Sequence, residues 1–265
     1  MTGLLALHDL TVTTSTGRTL LDRVSWSLDA GGRLGVVGES GSGKSLTAAA
    51  VLGLLPDGMT ATGQVLLDGT DLLTLPERRM RSIRGGQIAM VFQEPLTALD
   101  PLMTVGRQIA GPLRLHRGLR GAAAVAETER LARLVRLDDT DRILGSYPWQ
   151  LSGGQRQRVA LAMALACEPR ILIADEPTTA LDVTVQAEVL DLLDDLVDRT
   201  GVGLVFVSHD LPVIARVARD LAVMRDGRVV ELTAVAEALA GGEHPYTREL
   251  VAAARAGQLP REEDR

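Results

Sequence analysis

One stretch of eight residues has a composition suited to holding phosphate. It follows a short apolar segment, Arg33–Val37, that predicts a strand, and it leads into Leu46–Leu55, which predicts a helix. Glycines let the backbone approach a bound group closely, and the N–H groups at a helix start attract anions. The spacing is that of a phosphate-binding loop. Its members are Gly38, Glu39, Ser40, Gly41, Ser42, Gly43, Lys44 and Ser45.

The lysine of this loop has no counterpart elsewhere in the sequence. Of the 28 basic residues, 27 are arginine and one is Lys44. A position that keeps lysine against such a bias needs an ammonium, a compact point charge that a planar guanidinium does not replace. We therefore predict that Lys44 neutralises charge on the β- and γ-phosphates of a nucleotide, and that Ser45 offers its hydroxyl to Mg²⁺.

Two adjacent carboxylates follow another apolar segment. Ile171–Ala174 predicts a buried strand, and Asp175 and Glu176 come directly after it. Because side chains alternate along a strand, the two carboxylates point in different directions. Acidic residues after a strand are often ordinary loop residues. Together with the phosphate-binding loop, however, they predict that Asp175 holds the magnesium shell and that Glu176 reaches the water attacking the γ-phosphate.

A second glycine-rich helix start lies upstream of these carboxylates. A serine stands at the position of a helix N-cap, and two glycines leave the backbone bare, which predicts another anion-binding helix terminus. The alternative is an ordinary glycine turn before a helix. The residues are Leu151, Ser152, Gly153, Gly154 and Gln155.

Taken together, these segments resemble the nucleotide-binding subunits of ATP-binding cassette proteins, over nearly the whole chain. The resemblance implies roles for three further residues. Gln93 matches the glutamine that contacts Mg²⁺ and the transport partner, Asp182 lies in the loop that communicates across the dimer, and His209 matches the histidine that touches the γ-phosphate. Glu176 matches the catalytic base.

The resemblance also implies a dimer and a fold. Two domains pack head to tail, with ATP between residues 38–45 of one and residues 151–155 of the other. Alternating strands and helices predict an α/β fold, and the resemblance specifies a P-loop NTPase (RecA-like) core with an N-terminal antiparallel β subdomain and an inserted helical subdomain. We expect a single nucleotide-binding domain over 1–265. Residues 1–94 and 159–240 would form the β subdomain and core, 95–158 the helical signature subdomain, and 241–265 a short C-terminal extension.

Three strings are similar to oligopeptide, dipeptide and nickel importer ATPases: Phe92–Pro101, Glu176–Ala187 and His244–Thr247. They imply an ATPase subunit that energises such an importer. The expected partners are two transmembrane permease subunits, a related second ATPase in a heterodimer (or a second copy in a homodimer) and, indirectly, an extracytoplasmic solute-binding protein. The short C-terminal region is also found in nickel-type members, which leans toward a metal or metal-chelate cargo.

Composition and charge argue against several classes of protein and of cofactor. The net charge of −6 argues against nucleic-acid binding. No apolar run approaches the roughly 18 residues that span a bilayer, and Met1–Leu10 lacks the basic start of a signal peptide. We therefore expect a cytoplasmic protein, peripheral on the inner face of the cell membrane. The chain has one cysteine, Cys167, which cannot hold a metal cluster alone, so we expect no iron–sulfur cluster and no structural metal. The cofactor that the motifs above imply is Mg-ATP.

Two departures from the family pattern and two alternative functions stay open. Thr13 or Thr14 stands where many members place an aromatic residue that stacks on adenine, and Trp149 stands where a polar residue is expected. One alternative is a soluble ATPase attached to an enzyme complex, as in carbon–phosphorus lyase systems. The other is a regulatory module that binds ATP without turnover, against which Glu176 and His209 argue.

Overall fold

The computed structural model of the chain describes residues 3–93, 98–179 and 181–256, which form two compact units. The first unit contains the described residues up to 76 and from 204 onward, and the second contains those from 77 to 203. Residues 94–97 of the importer-like string and Ala180 lie outside the described residues.

The first unit is built mainly of strands. Its elements in chain order are β1 (Leu5–Thr14), β2 (Thr19–Leu28), β3 (Arg33–Val37), α1 (Lys44–Val51), β4 (Met59–Leu67) and β5 (Thr70–Asp71). The second unit, mostly helical, contains α2 (Glu77–Ile83), β6 (Ile88–Val91), α3 (Val105–His116), α4 (Gly121–Leu134), α5 (Thr140–Gly145), α6 (Gly153–Leu165), β7 (Ile171–Asp175) and α7 (Val183–Thr200). The chain then returns to the first unit with β8 (Gly203–Ser208), α8 (Leu211–Val217), β9 (Asp220–Arg225), β10 (Arg228–Ala234), α9 (Val235–Ala240) and α10 (Pro245–Arg255).

Two kinds of strand pairing organise the first unit. Strands β2, β1, β4 and β5 pair in that order and antiparallel. Strand β3 lies parallel to both β8 and β9, and β10 adds antiparallel to β9. Every residue of β3 and of β8 is buried, as expected for strands covered on both faces. The predicted α/β fold with an N-terminal antiparallel subdomain is confirmed.

The second unit carries one parallel strand pair and a set of helices. Strands β6 and β7 align with Val91 opposite Ala174. The buried residues Ile109, Leu113 and Leu131 of α3 and α4 contribute to its core. No helix in the described part of the chain is both long and apolar enough to cross a membrane.

The helix after the phosphate-binding loop differs from its predicted bounds. It begins at Lys44 and ends at Val51, whereas the sequence predicted Leu46–Leu55. The early end has a local cause, because Gly53 takes a left-handed backbone conformation (φ 61°) and Leu54 N–H donates to Ala49 O, closing the helix with a reversed turn.

The turn between β9 and β10 supports the phosphate-binding loop directly. Gly227 N–H donates to Ser42 O at 3.1 Å, and Gly227 O accepts from Asp22 N–H at 2.8 Å. Gly227 has φ 76°, and a Cβ there would lie 2.2 Å from Leu20 O. Only glycine therefore fits at this position without displacing the backbone.

We expect Gly227→Ala to lower the free energy of unfolding by about 3 kcal/mol, since a left-handed L-residue costs about 1–2 kcal/mol and the clash adds to it. Gly17→Ala is the matched control, because Gly17 has φ 83° but has no atom within 4 Å of an added Cβ. It should lose about 1 kcal/mol. Urea unfolding of both variants measures the difference, and equal losses would contradict the supporting role of Gly227.

Candidate functional site

The phosphate-binding loop leaves β3 and enters α1 without a side-chain cap. Gly43 is the N-cap of α1 and has φ 101°, a conformation that glycine adopts easily. A Cβ on Gly38 would lie 2.1 Å from Met224 O, and one on Gly43 would lie 2.5 Å from the Leu21 side chain. Packing within the unit therefore requires glycine at two positions of the loop.

The lysine of the loop is held by the loop itself. Lys44 Nζ donates to Gly38 O at 2.8 Å and to Glu39 O at 2.9 Å, and the side chain is 5% exposed. The ammonium is thus fixed beside the helix start, which concentrates positive charge where the N–H groups of α1 also point. Ser45, on the first turn of the same helix, is exposed.

Strand register brings His209 to the same edge of the first unit as this loop. Val37, the last residue of β3, pairs with Ser208, the last residue of β8. Gly38 and His209 directly follow these two paired residues, so their backbones lie next to each other at the ends of the two parallel strands. Asp210 N–H donates to Ser208 Oγ at 3.0 Å, and Asp210 caps α8, which fixes the backbone around the half-buried His209.

The carboxylates of the second unit lie beside the predicted glutamine. Strands β6 and β7 end together, and Gln93 Nε2 donates to Glu176 Oε2 at 3.0 Å. Thr179 Oγ1 donates to the same carboxylate oxygen at 2.8 Å. Glu176 adopts a left-handed conformation with φ 46°, which turns the chain sharply after the strand. Asp175, the last residue of β7, is 5% exposed.

The second glycine-rich helix start forms a complete capping box. Gln155 N–H donates to Ser152 Oγ at 3.2 Å, and Ser152 N–H donates to Gln155 Oε1 at 3.0 Å. Leu151 is 3% exposed and anchors the segment to the second unit. The serine hydroxyl and the glutamine amide are therefore both engaged in ordering the first turn of α6.

The same helix start packs against the segment that carries Asp182. A Cβ on Gly153 would lie 3.1 Å from Leu181, and one on Gly154 would lie 2.5 Å from Val185. Asp182 caps α7 by accepting a hydrogen bond from Val185 N–H at 3.0 Å. The two glycines are thus required for the close packing of the helix start against the segment that carries Asp182.

Thr14 and Trp149, the two positions that depart from the family pattern, both make contacts with nearby surface residues. Thr14 Oγ1 lies 2.8 Å from Thr16 Oγ1 in the turn between β1 and β2, so the polar side chains of this turn bond to each other. Trp149 is 65% exposed and stacks on Tyr147, with ring centroids 6.1 Å apart. Neither contact explains why an aromatic residue is missing at Thr14 or present at position 149.

Sequence reasoning assigned no role to two residues that contact the predicted site. Thr179 bonds Glu176, and Tyr246 bonds the phosphate-binding loop: its hydroxyl oxygen accepts a hydrogen bond from Glu39 N–H at 3.0 Å. Thr179 lies only three residues from Glu176, so the spacing allowed this contact to be suspected. Tyr246 lies 207 residues from Glu39, and no pattern in the sequence predicts their contact.

Comparison with protein families matches residues 21–179 to the family described as ABC transporter. The chain is 49% identical, over 87% of its length and 70% of the relative's, to a "probable peptide ABC transporter ATP-binding protein" of Sinorhizobium fredii. It is 46% identical, over 87% of its length, to a glutathione import ATP-binding protein of Escherichia coli, of which it spans 38%.

Solved structures give a similar result. One is the dimeric post-hydrolysis state of an ATP-binding cassette bound to ADP and Pi, with a TM-score of 0.77 and 30% identity. The match covers 87% of this chain and 98% of that one.

Proposed function

Because this chain belongs to the ABC transporter family of ATP-binding subunits, we propose that it binds and hydrolyses ATP to energise a peptide-type ABC importer. The observation that carries the proposal is the Glu176 carboxylate, which Gln93 and Thr179 hold at the carboxyl end of β7. A carboxylate placed in this way suits the activation of a water molecule for attack on a phosphate.

The nucleotide phosphates would lie on residues 38–45. The backbone N–H groups of the loop and of α1 bind the phosphate oxygens, and Lys44 contributes the positive charge. We propose that His209, beside the loop at the end of β8, touches the γ-phosphate. These groups orient the phosphates for attack, while Glu176 accepts the proton of the attacking water.

The residues proposed to hold magnesium are Ser45, Gln93 and Asp175. Their donors are a hydroxyl, an amide oxygen and a carboxylate, which is the oxygen chemistry that Mg²⁺ prefers. Bound with ATP, the ion would neutralise charge developing on the β- and γ-phosphates. The single cysteine fits no metal cluster: burial raises the pKa of the Cys167 thiol, which disfavours the thiolate that metals bind. We propose neither an iron–sulfur cluster nor a structural metal.

We further propose that residues 151–155 act on the ATP of a partner ATPase. The helix start of α6 is glycine-rich and is ordered by its own capping box, which suits a group that binds the phosphates of another chain. We propose that Asp182 communicates across the dimer. Its neighbours Leu181 and Val185 pack on Gly153 and Gly154, so a movement of this segment would shift the helix start at residues 151–155. We also propose the domain division expected from the sequence, with 95–158 as the helical signature subdomain and 241–265 as a short C-terminal extension.

The proposed partners are two transmembrane permeases and a related second ATPase, or a second copy of this chain, with a solute-binding protein acting indirectly. The chain would lie on the cytoplasmic face of the cell membrane. The two relatives concern peptides and glutathione, which supports a peptide cargo. A nickel or metal-chelate cargo stays a prediction without further support.

Reconstitution with the candidate permeases tests the proposal. The chain should co-purify with them in detergent, and ATP hydrolysis in proteoliposomes should drive peptide accumulation. A complex that stays intact without detergent and contains an enzyme would favour the carbon–phosphorus lyase-like alternative. Nucleotide binding without turnover in the full assembly would favour a regulatory module.

A further inference from the structure

The first helical residues of α10 lie against the phosphate-binding loop within the first unit. Tyr246 is 1% exposed, and its hydroxyl oxygen accepts a hydrogen bond from Glu39 N–H at 3.0 Å. Glu39 is the second residue of the loop, and its carbonyl accepts hydrogen bonds from Lys44 Nζ at 2.9 Å and from Ser42 N–H at 3.2 Å. Glu39 N–H belongs to the Gly38–Glu39 peptide group, and the carbonyl of that same group, Gly38 O, accepts a hydrogen bond from Lys44 Nζ at 2.8 Å. This one peptide group is therefore bonded on one side to the tyrosine and on the other to the lysine that we propose binds phosphate.

The tyrosine is itself held firmly. The carboxylate of Glu231 on β10 accepts hydrogen bonds from Glu243 N–H, His244 N–H and the Thr247 hydroxyl, which fixes the start of α10. His244 Nδ1 accepts the Tyr246 N–H as helix cap. These contacts fix the backbone of Tyr246 without involving the loop. The position of the Tyr246 hydroxyl beside Glu39 therefore does not depend on the loop itself.

The ring of Tyr246 has a second partner on the hairpin that supports the loop. The Arg225 guanidinium lies over the ring, 4.8 Å from its centroid, a favourable cation–π arrangement. Arg225 precedes the turn whose Gly227 N–H donates to Ser42 O. Burial raises the pKa of Tyr246 to about 12, so the phenol stays protonated near neutral pH. The loop is thus supported twice, at Ser42 by the hairpin and at Glu39 by the tyrosine.

We propose that Tyr246 is a positioning residue for the phosphate-binding loop: through Glu39 it holds the peptide that orients Lys44, and so prepares the loop for nucleotide. The inference rests on the proposed ATPase function. It predicts an effect on nucleotide affinity rather than on the chemical step. A loop that must order itself on binding lowers affinity, whereas bound phosphate restores the same catalytic geometry.

Tyr246→Phe tests this, because it removes only the hydroxyl and keeps the ring under Arg225. We expect the Kd for Mg-ADP, measured by calorimetry, to rise about three- to tenfold, the loss of one hydrogen bond that orders the site. In steady-state phosphate release, KM for ATP should rise by a similar factor while kcat changes less than about twofold.

Thr128→Val is the matched control. It removes a buried hydroxyl from α4 in the second unit, where the partner is Ala124 O and neither the loop nor the anchor of α10. It should lower the melting temperature without changing the Kd. An unchanged Kd in Tyr246→Phe, or equal rises in both variants, would overturn the inference and leave Tyr246 a packing residue. A natural chain that binds no Mg-ADP would instead contradict the proposed function itself.

Discussion

The Glu176→Gln chain is expected to bind Mg-ATP and to release phosphate at least about a hundredfold more slowly than the natural chain, since a positioned general base contributes about 10²–10⁴-fold. Glutamine has nearly the shape of glutamate, and its amide oxygen still accepts the hydrogen bond of Thr179. The local fold around Gln93 and Thr179 should therefore survive, and only the ability to take a proton is lost. Phosphate release under saturating Mg-ATP measures the effect.

The same variant should also reveal the dimer. If ATP is enclosed between two copies of this chain, the variant that cannot hydrolyse it should elute as an ATP-dependent dimer in size exclusion; if the partner is a related ATPase, the dimer should appear only when that ATPase is added. Glu188→Gln is the matched control, because it removes a carboxylate of the same unit that pairs with Arg158 on the surface. Its turnover should equal that of the natural chain. Residual turnover above a tenth of natural in Glu176→Gln would refute the assignment of Glu176 as base.

Lys44→Met is expected to raise the Kd for Mg-ATP by about a hundredfold or more. A charge-assisted hydrogen bond contributes about 1.5–3 kcal/mol, and the ammonium is proposed to serve both the β- and γ-phosphates. The loop carbonyls of Gly38 and Glu39 lose a donor in the same variant. Calorimetric titration measures the affinity, and a melting curve separates it from any loss of fold.

Two further variants sharpen this test. Lys44→Arg keeps the charge but replaces the compact ammonium by a planar group in a site that is 5% exposed, so it should recover little of the affinity. Arg81→Met removes an exposed cation paired with Glu77 and should leave the Kd unchanged. Full recovery by arginine would show that the position needs charge alone, and the retention of a single lysine in this chain would then have another cause.

Much of the candidate site could be predicted because its parts are local. The glycines and Lys44 lie within eight residues, and a strand before them with a helix after them is a pattern of short range. The capping box at Ser152 likewise depends on residues three apart. Element bounds were less accurate, as at the end of α1, because Gly53 closes that helix through backbone hydrogen bonds that hydrophobic periodicity does not encode.

What this sequence determined by itself was the set of chemical groups: a phosphate-binding loop around Lys44, a carboxylate pair after a buried strand, and a second glycine-rich helix start. What only the tertiary structure decided was which groups meet. Parallel register places His209 beside the loop and Gln93 beside Glu176, and the anchoring of α10 by Glu231 brings Tyr246 to Glu39 across 207 residues. The physical reason is that a hydrogen bond depends on position to within a few tenths of an ångström, and such positions are set by strand pairing and packing rather than by local composition.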